Sequence, residues 1–189
     1  MTLSKLFGTL RTIRRFTAEP VPVSLLREAV DAARLCASAA NAQPLRYIVV
    51  TDEDTVAALQ PHVKWAGYLP PEDGVPKAGE QPTAFIAVVK TADAKAYADI
   101  DVGLAVHALT AVAWEAGVGS CIMGAIDRPA IKAVLPIAAE DELPLMIALG
   151  YPAHQSHVVP LTDTVKYALD DNRDNVVPKR ALEDVATFV

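Results

Sequence analysis

Apolar residues cluster in four short runs that are typical of buried strands. The run at residues 47–51, for example, lies between Pro44 and three acidic residues, which fits a strand better than a helix. The four runs cover residues 47–51, 83–89, 120–123 and 145–149. The sequence therefore predicts four strands.

Between these runs, apolar residues recur at helical spacing. The spacing begins behind a predicted N-cap at Ser24, recurs over residues 54–60 and begins again behind Asp127. The longest such stretch, residues 99–116, has little polar surface. We therefore predict that it forms a helix that is buried nearly all round and is ended by Gly117.

Two stretches show neither a strand-like apolar run nor helical spacing of apolar residues. Residues 61–82 contain five prolines and three glycines, which predicts a loop long enough to form a lid over a site. Residues 163–189 are polar with scattered apolar residues and form a predicted C-terminal extension. A chain of 189 residues is within the size of one domain, so we expect residues 1–189 to form a single domain.

Composition adds an expectation about assembly. Apolar residues make up 52% of the chain but aromatic residues only 6%, so Ala, Val, Leu and Ile supply much of the apolar content. This apolar share exceeds the usual share in globular proteins, and obligate interfaces between subunits resemble a divided core. We therefore expect a homo-oligomer.

Charge and cysteine content narrow the class of partner. The net charge is −6, yet residues 1–50 hold seven Lys and Arg against three Asp and Glu. A few basic residues at one end fit a small anionic ligand better than nucleic acid, which needs a broad basic surface. The sequence has no run near the roughly 20 apolar residues of a membrane span and no secretory signal, and its two cysteines are far apart. We expect no nucleic-acid or membrane partner and a cytoplasmic location.

Two polar segments near the amino end are candidates for ligand binding. Arg11, Arg14 and Arg15 fall within five residues, and guanidinium groups suit bidentate binding of phosphate oxygens. Residues 37–44 (ASAANAQP) offer hydroxyl and amide groups that can hydrogen-bond a flat heterocycle at close range. A solvated basic helix end followed by a polar loop is the alternative interpretation.

A third segment, residues 117–124 (GVGSCIMG), contains glycines whose spacing excludes a dinucleotide-binding fingerprint. That fingerprint needs its third glycine three positions after the second, between a strand and a helix. Here the next glycine is five positions on, and the turn follows a predicted helix and opens a predicted strand. A plain helix-to-strand connection is the alternative to a ligand-binding turn.

Taken in order, these segments resemble the nitroreductase family of FMN-dependent oxidoreductases. Family members carry an early Arg-Arg-Ser-x-Arg-x-Phe-like segment, then Pro-Ser-x-x-Asn-x-Gln-Pro, then a Gly-x-Gly-Ser-Cys-x-x-Gly-like turn. Residues 10–16, 37–44 and 117–124 match them, and residues 145–152 match a later strand of the family. The resemblance implies an α+β fold of three layers, α/β/α, with helices flanking a central mixed, mainly antiparallel sheet, and an intertwined homodimer.

The resemblance also implies an FMN site. The early segment would contact the phosphate and the ring edge, the second segment would reach into a site formed with the partner subunit, and the glycine turn would offer a backbone N–H to flavin N5. The implied FMN-binding residues are Arg11, Thr12, Arg14, Ser38, Ala39, Asn41, Gln43, Ile122, Met123, Gly124, Lys179 and Arg180.

Departures from the family pattern leave alternatives open. Leu10 stands where many members have a basic residue, so the phosphate clamp is either weaker or uses Lys179 or Arg180. Ala37 replaces the usual proline. An exposed basic pair on a terminal helix is the alternative for Lys179 and Arg180, and a helix C-cap is the alternative for Asn41.

The implied function is that of an FMN-dependent oxidoreductase with NADH or NADPH as co-substrate. Hydride would pass to the flavin, and electrons would then pass to a nitroaromatic, quinone or similar conjugated acceptor, in a ping-pong sequence. The flavin carries the chemistry, so no side chain is assigned as an acid or base. The alternatives are a flavin- or nucleotide-binding protein without turnover, and a relative that performs reductive dehalogenation or flavin breakdown.

Other candidate sites are weaker. His154 and His157 are spaced like a metal pair, but no Cys or carboxylate cluster lies nearby in the sequence, so we expect no metal. His107 is expected to be a core or interface histidine. Trp65 and Tyr68 either line the open flavin face or anchor the loop at 61–82 by packing.

Overall fold

A computed structural model describes residues 2–189, and its centre is a four-stranded sheet. The strands are β1 (Leu45–Val50), β2 (Ala84–Lys90), β3 (Gly119–Met123) and β4 (Glu142–Gly150). They lie in the order β1-β2-β4-β3, and every neighbouring pair is antiparallel. All four predicted strands are confirmed.

Helices cover both faces of this sheet. The helices are α1 (Leu3–Thr9), α2 (Val23–Arg34), α3 (Glu53–Leu59), α4 (Pro71–Gly74), α5 (Ala98–Glu115) and α6 (Arg128–Val134). Successive residues of a strand point to opposite faces, so Phe85 of β2 packs with α3 and α6 while Ile86 packs with α2 and α5. The three-layer α/β/α arrangement is therefore confirmed.

Local signals predicted some helix ends correctly. Asp127 is the N-cap of α6, where its side chain accepts a hydrogen bond from the Ala130 N–H, and Gly117 follows α5 with a φ of +83°. The N-cap at Ser24 is wrong. Helix α2 begins at Val23 behind Pro22, which makes no side-chain cap bond, so Ser24 lies inside the first turn.

One prediction about α5 is wrong for the single chain. Helix α5 was expected to be buried nearly all round, but Ile100 is 61% exposed and Leu104 is 49% exposed. His107 is also exposed and Trp114 is half-buried. These four positions recur on one side of the helix and form what we call the α5 stripe. Helix α1 covers part of the stripe, because the Phe7 ring stacks on His107 and the Trp114 Nε1–H donates to Thr9 Oγ1 at 3.0 Å. Ile100 and Leu104 remain exposed in the described chain.

The two ends of the chain contain elements that periodicity did not predict. Helix α1 precedes the early arginines, and three short strands follow the central sheet: β5 (Ser156–Pro160), β6 (Ala168–Leu169) and β7 (Asn175–Lys179). They form a second sheet in the order β5-β7-β6, in which β5 and β7 are parallel. Within residues 2–189, no helix has the length and apolar character needed to cross a membrane.

Candidate functional site

The early arginine segment and the glycine turn meet at the free edge of β3. Thr12 pairs with Ser120 in parallel orientation, and the Ile13 N–H donates a hydrogen bond to the Ser120 carbonyl oxygen at 2.8 Å. A Cβ built on Gly119 would lie only 2.7 Å from Ile13 Cγ1. Gly119 therefore serves close packing of the early segment against β3, because any larger residue would push it away.

The contact between the two segments forms an open cavity of about 250 Å³. Residues of both segments line it, including Arg11, Thr12 and Ile122, together with Phe7 and His107, whose rings stack 5.0 Å apart. Ile122 is 49% exposed, whereas Met123 is buried. The next residue, Gly124, has no atom within 4 Å of the position of a Cβ, so a ligand has room to approach its backbone.

Arg11 caps the end of helix α1. Its guanidinium donates hydrogen bonds to the carbonyl oxygens of Phe7 at 3.0 Å and Gly8 at 3.1 Å, and also to that of Leu10. These carbonyls have no partner within the helix, and a cation at a helix C-terminus is favourable. The Nε of Arg11 is buried and has no hydrogen-bond partner within residues 2–189.

Arg14 lies between an aromatic ring and a buried thiol. Its guanidinium carbon is 4.3 Å from the centroid of the Tyr167 ring, and its side chain lies near the Cys121 thiol. Burial raises the pKa of Cys121 to about 11, so this thiol stays protonated at neutral pH. The Nε of Arg14 is buried and unpaired in the described chain, which leaves a donor for a ligand.

Arg15 faces the interior and does not belong with the other two arginines. It is buried, donates to the Arg173 carbonyl oxygen, and lies 3.8 Å from Glu80 Oε1. Burial and the nearby Arg173 lower the pKa of Arg15 from its ordinary value. Grouping all three arginines as one set of phosphate-binding forks was therefore wrong, because the fold gives each a different environment.

His154 fixes the backbone of the early segment. Its Nε2 accepts the Arg14 N–H at 3.0 Å, and its Nδ1 lies 2.7 Å from the Gln155 carbonyl oxygen. A backbone N–H can only donate, so Nε2 carries no proton and Nδ1–H is the donor to Gln155. Burial lowers the pKa of His154, which favours this neutral form.

The second sequence segment forms a strained turn. Ala40, Asn41 and Gln43 all have φ between +50° and +53°, a region that side chains other than glycine rarely adopt. Such strain persists only where the surroundings enforce it, and it is concentrated at functional sites. Helix α2 ends at Arg34, so the alternative that Asn41 caps this helix does not hold.

Two side chains hold this turn in place. The Ser38 Oγ accepts the Gln43 N–H at 3.0 Å, and Asp101 Oδ1 of α5 accepts the Ala39 N–H at 3.0 Å. Asp101 is only 5% exposed, so its carboxylate is committed to the interior and not to solvent. We call residues 38–43 with this support the cradle.

Within one chain, the structure does not bring the cradle to the open cavity lined by Arg11, Thr12 and Ile122, which we call the arginine cavity. Asp101 supports the cradle and Thr110 lines the cavity, and nine residues of helix α5 separate them, which is about 14 Å along the axis. Lys179 ends β7 and Arg180 follows it, so neither lies on a helix, and both are exposed. No hydrogen bond or ion pair of the described residues joins this pair to the cavity.

The loop at 61–82 is anchored at both ends. Val63 pairs with Ile126, next to the glycine turn, and the Phe16 N–H donates to the Glu80 carbonyl oxygen at 2.9 Å. Trp65 packs against the core beneath α3 and α6, so it anchors the loop. Tyr68 is exposed and its ring lies 5.2 Å from that of Tyr167.

The fold also brings carboxylates to one of the two histidines. His157, Asp170 and Asp174 each offer one atom that could bind a metal, and these three atoms lie within 4.8 Å of one another. No carboxylate cluster lies near these histidines in the sequence, but the fold brings two carboxylates to His157, because a turn more than ten residues away folds back onto β5. His154 is not part of this group, since its Nε2 binds the Arg14 N–H.

Sequence reasoning missed three residues that shape the site: Asp101, His154 as a backbone acceptor, and Tyr167. Asp101 had a signal, because an acidic residue on an otherwise apolar helix needs a buried partner. Tyr167 had none, since it lies in a segment without periodicity.

Comparison with known proteins decides the family. The sequence profile described as the nitroreductase family matches residues 10–151. A protein of Thermus thermophilus named NADH dehydrogenase is 32% identical, over 82% of this chain and 90% of that protein. The chain belongs to the nitroreductase family. As a member, it is an NAD(P)H-dependent flavin oxidoreductase.

Solved structures show that this chain shares its fold with distant proteins. A mutant of the FMN and NADPH-dependent nitroreductase NfnB from Sphingopyxis sp. strain HMH has a TM-score of 0.71 at 17% identity, over 100% of this chain and 99% of that one. Iodotyrosine deiodinase bound to FMN and 3-iodo-L-tyrosine has a TM-score of 0.70 at 23% identity, over 87% and 97%. At these identities the similarity concerns the fold alone.

Proposed function

We propose that the protein is an FMN-dependent oxidoreductase that passes electrons from NADH or NADPH to a nitroaromatic, a quinone or a similar conjugated acceptor, in a ping-pong sequence. The observation that carries this proposal is the pairing of Thr12 with Ser120, because it puts residues of two separate sequence segments around one open cavity. When bound, FMN supplies the redox chemistry by accepting and then releasing electrons.

The early arginine segment and the glycine turn, which meet at this cavity, suit FMN in three respects. Arg11 and Arg14 each keep a buried Nε without a partner in residues 2–189, and a guanidinium donor suits a phosphate or carbonyl oxygen. Gly124 leaves space for a ring beside the backbone. The positive charge of Arg11 or Arg14 would stabilise negative charge on the reduced ring, which is an electrostatic contribution that needs no proton transfer by the protein.

We propose that a second copy of the chain completes the site. The cradle is displaced along α5 from the arginine cavity of its own chain, so it would serve the cavity of a partner. The exposed α5 stripe supplies an apolar surface for that contact, and Phe7 and Ile122 extend it beside the cavity. Because α5 has no polar face, burial of the stripe by a second copy accounts for the apolar excess of the sequence.

The lining of the cavity favours flat, conjugated acceptors. Phe7, Leu10 and Ile122 are apolar, and the stacked rings of Phe7 and His107 form one wall. Apolar and aromatic walls bind planar molecules and exclude water from the reacting faces.

Anaerobic absorbance spectroscopy of the purified chain tests the proposal. We expect the chain to retain or take up FMN, to lose its yellow colour on addition of NADH or NADPH, and to regain it with a nitroaromatic or menadione. Recovery only with a halogenated aromatic would favour dehalogenation instead. Yellow protein that neither nucleotide bleaches would favour a binding protein, and a chain that cannot be reconstituted with FMN would refute every flavin-based reading.

A variant at Arg14 tests the position of the site. Loss of a hydrogen bond from a charged group costs about 1.5–3 kcal/mol, so Arg14→Ala should raise the Kd for FMN by about 10- to 150-fold. Arg27, on the exposed side of α2, is the matched control, and Arg27→Ala should leave the Kd unchanged. An unchanged Kd in the Arg14 variant would remove Arg14 from the site.

A further inference from the structure

Three segments that are distant in sequence meet above the Arg14 side chain. The guanidinium carbon of Arg14 lies 4.3 Å from the centroid of the Tyr167 ring, just before β6. The Tyr167 ring lies 5.2 Å from the Tyr68 ring, with 55° between the planes, and the Tyr68 N–H donates to the Tyr167 Oη at 3.4 Å. The loop at 61–82 thus holds Tyr167, and Tyr167 covers Arg14 of the early segment.

This contact leaves the donors of Arg14 free. A guanidinium stacks on an aromatic ring through its face, whereas its N–H groups point outward in its own plane. Stacking therefore restricts the orientation of the side chain without occupying its donors. The Nε of Arg14 is buried and has no partner among the described residues, so at least one in-plane donor is available to a bound molecule.

Both ends of Arg14 are fixed independently. Its backbone N–H donates to His154 Nε2 at 3.0 Å, and its guanidinium is held by the Tyr167 ring. An arginine side chain without such contacts would lose rotamer freedom when it binds a ligand, which weakens binding. A preorganised side chain avoids most of that cost.

We propose that Tyr167 is a positioning residue for FMN, which holds the Arg14 guanidinium so that its N–H donors can bind the cofactor. The proposal rests on the proposed function, since it needs FMN bound at the early arginine segment. Tyr68 supports Tyr167 from the loop. The loop and the C-terminal extension therefore act on the cofactor through one side chain of the early segment.

A double-mutant cycle on FMN binding tests this role. Cation–π contacts contribute about 0.5–2 kcal/mol, so Tyr167→Ala should raise the Kd for FMN by about two- to thirtyfold. Tyr167→Phe keeps the ring and should change the Kd less than Tyr167→Ala does. In an Arg14→Ala background, Tyr167→Ala should have no further effect, because the residue through which it acts is absent. Tyr97→Ala, at an exposed tyrosine before α5, is the matched control and should match the wild type.

The reduction potential of bound FMN gives a second readout. A guanidinium held near the ring favours the reduced form, so the potential should become more negative in Tyr167→Ala and stay unchanged in Tyr167→Phe. A packing role alone would not produce this difference between the two variants.

Each outcome supports or overturns the proposal. Equal losses of affinity from Tyr167→Ala in the wild-type and Arg14→Ala backgrounds would overturn it, as would an unchanged Kd in Tyr167→Ala. If Tyr167→Ala does not fold, Tyr167→Leu fills the same space without an aromatic face and carries the same expectations. Wild-type protein that binds no FMN would instead refute the proposed function, so the two failures are distinguishable.

Discussion

Gly119 begins β3 and Gly124 follows its last residue. We expect alanine at Gly119 to lower the stability of the fold and alanine at Gly124 to weaken FMN binding. A Cβ at Gly119 would lie 2.7 Å from Ile13 Cγ1 and 2.8 Å from Ile13 Cβ. The contact with Cβ cannot be relieved by a new rotamer, so the segment around Ile13 must move away from β3 and strain its hydrogen bond to Ser120. Overpacking of this kind costs about 1–3 kcal/mol in the free energy of unfolding.

Alanine at Gly124 is the matched comparison. No atom lies within 4 Å of its Cβ position, so Gly124→Ala should change the free energy of unfolding by less than about 0.5 kcal/mol. If the flavin ring approaches this backbone, the added methyl group should disrupt about one hydrogen bond of 0.5–1.5 kcal/mol and raise the Kd for FMN by about two- to thirteenfold.

Thermal unfolding of FMN-free protein and titration with FMN separate the two effects. FMN must be absent from the unfolding experiment, because a ligand that binds the folded state raises its apparent stability. At about 2–4 °C per kcal/mol for a chain of this size, the Tm of Gly119→Ala should fall by about 2–12 °C. An unchanged Tm would refute the packing of the early segment on β3, and unchanged FMN affinity in Gly124→Ala would remove that glycine from the site.

Three further predictions concern pH, the shared site and assembly. Burial lowers the pKa of His154, so below about pH 6.5 the unfolded chain binds a proton that the folded chain does not. The free energy of unfolding should therefore fall as the pH drops. The variant His154→Gln should flatten this pH dependence, measured by urea titrations. When Arg14→Ala and Asn41→Ala chains are mixed and refolded together, turnover should recover to at most roughly a quarter of the wild-type value. Half of the dimers are then hybrids, and each hybrid has one intact site of two. If no turnover is recovered, both residues belong to the site of one chain. Leu104→Lys in the α5 stripe should give monomers by light scattering, and an unchanged mass would exclude the stripe as the interface.

Local sequence signals predicted the four central strands and several element ends because these depend on short-range physics. Four apolar runs could be buried only as strands or helices of limited length, and all four are strands. Gly117 adopts the positive φ that ends α5, and Asp127 caps α6, as their positions predicted. The short strands of the C-terminal extension gave no signal, because they are half-exposed and too short for alternation to show.

What the sequence determined by itself was the four central strands, the helices between them and the three segments of the family pattern, since periodicity, backbone restrictions and residue chemistry act over a few residues. Only the tertiary structure decided that the last central strand lies between β2 and β3, that Arg11, Arg14 and Arg15 have different environments, and that Tyr167 covers Arg14. These features depend on contacts between residues up to about 150 positions apart, and no local pattern specifies which distant surfaces meet.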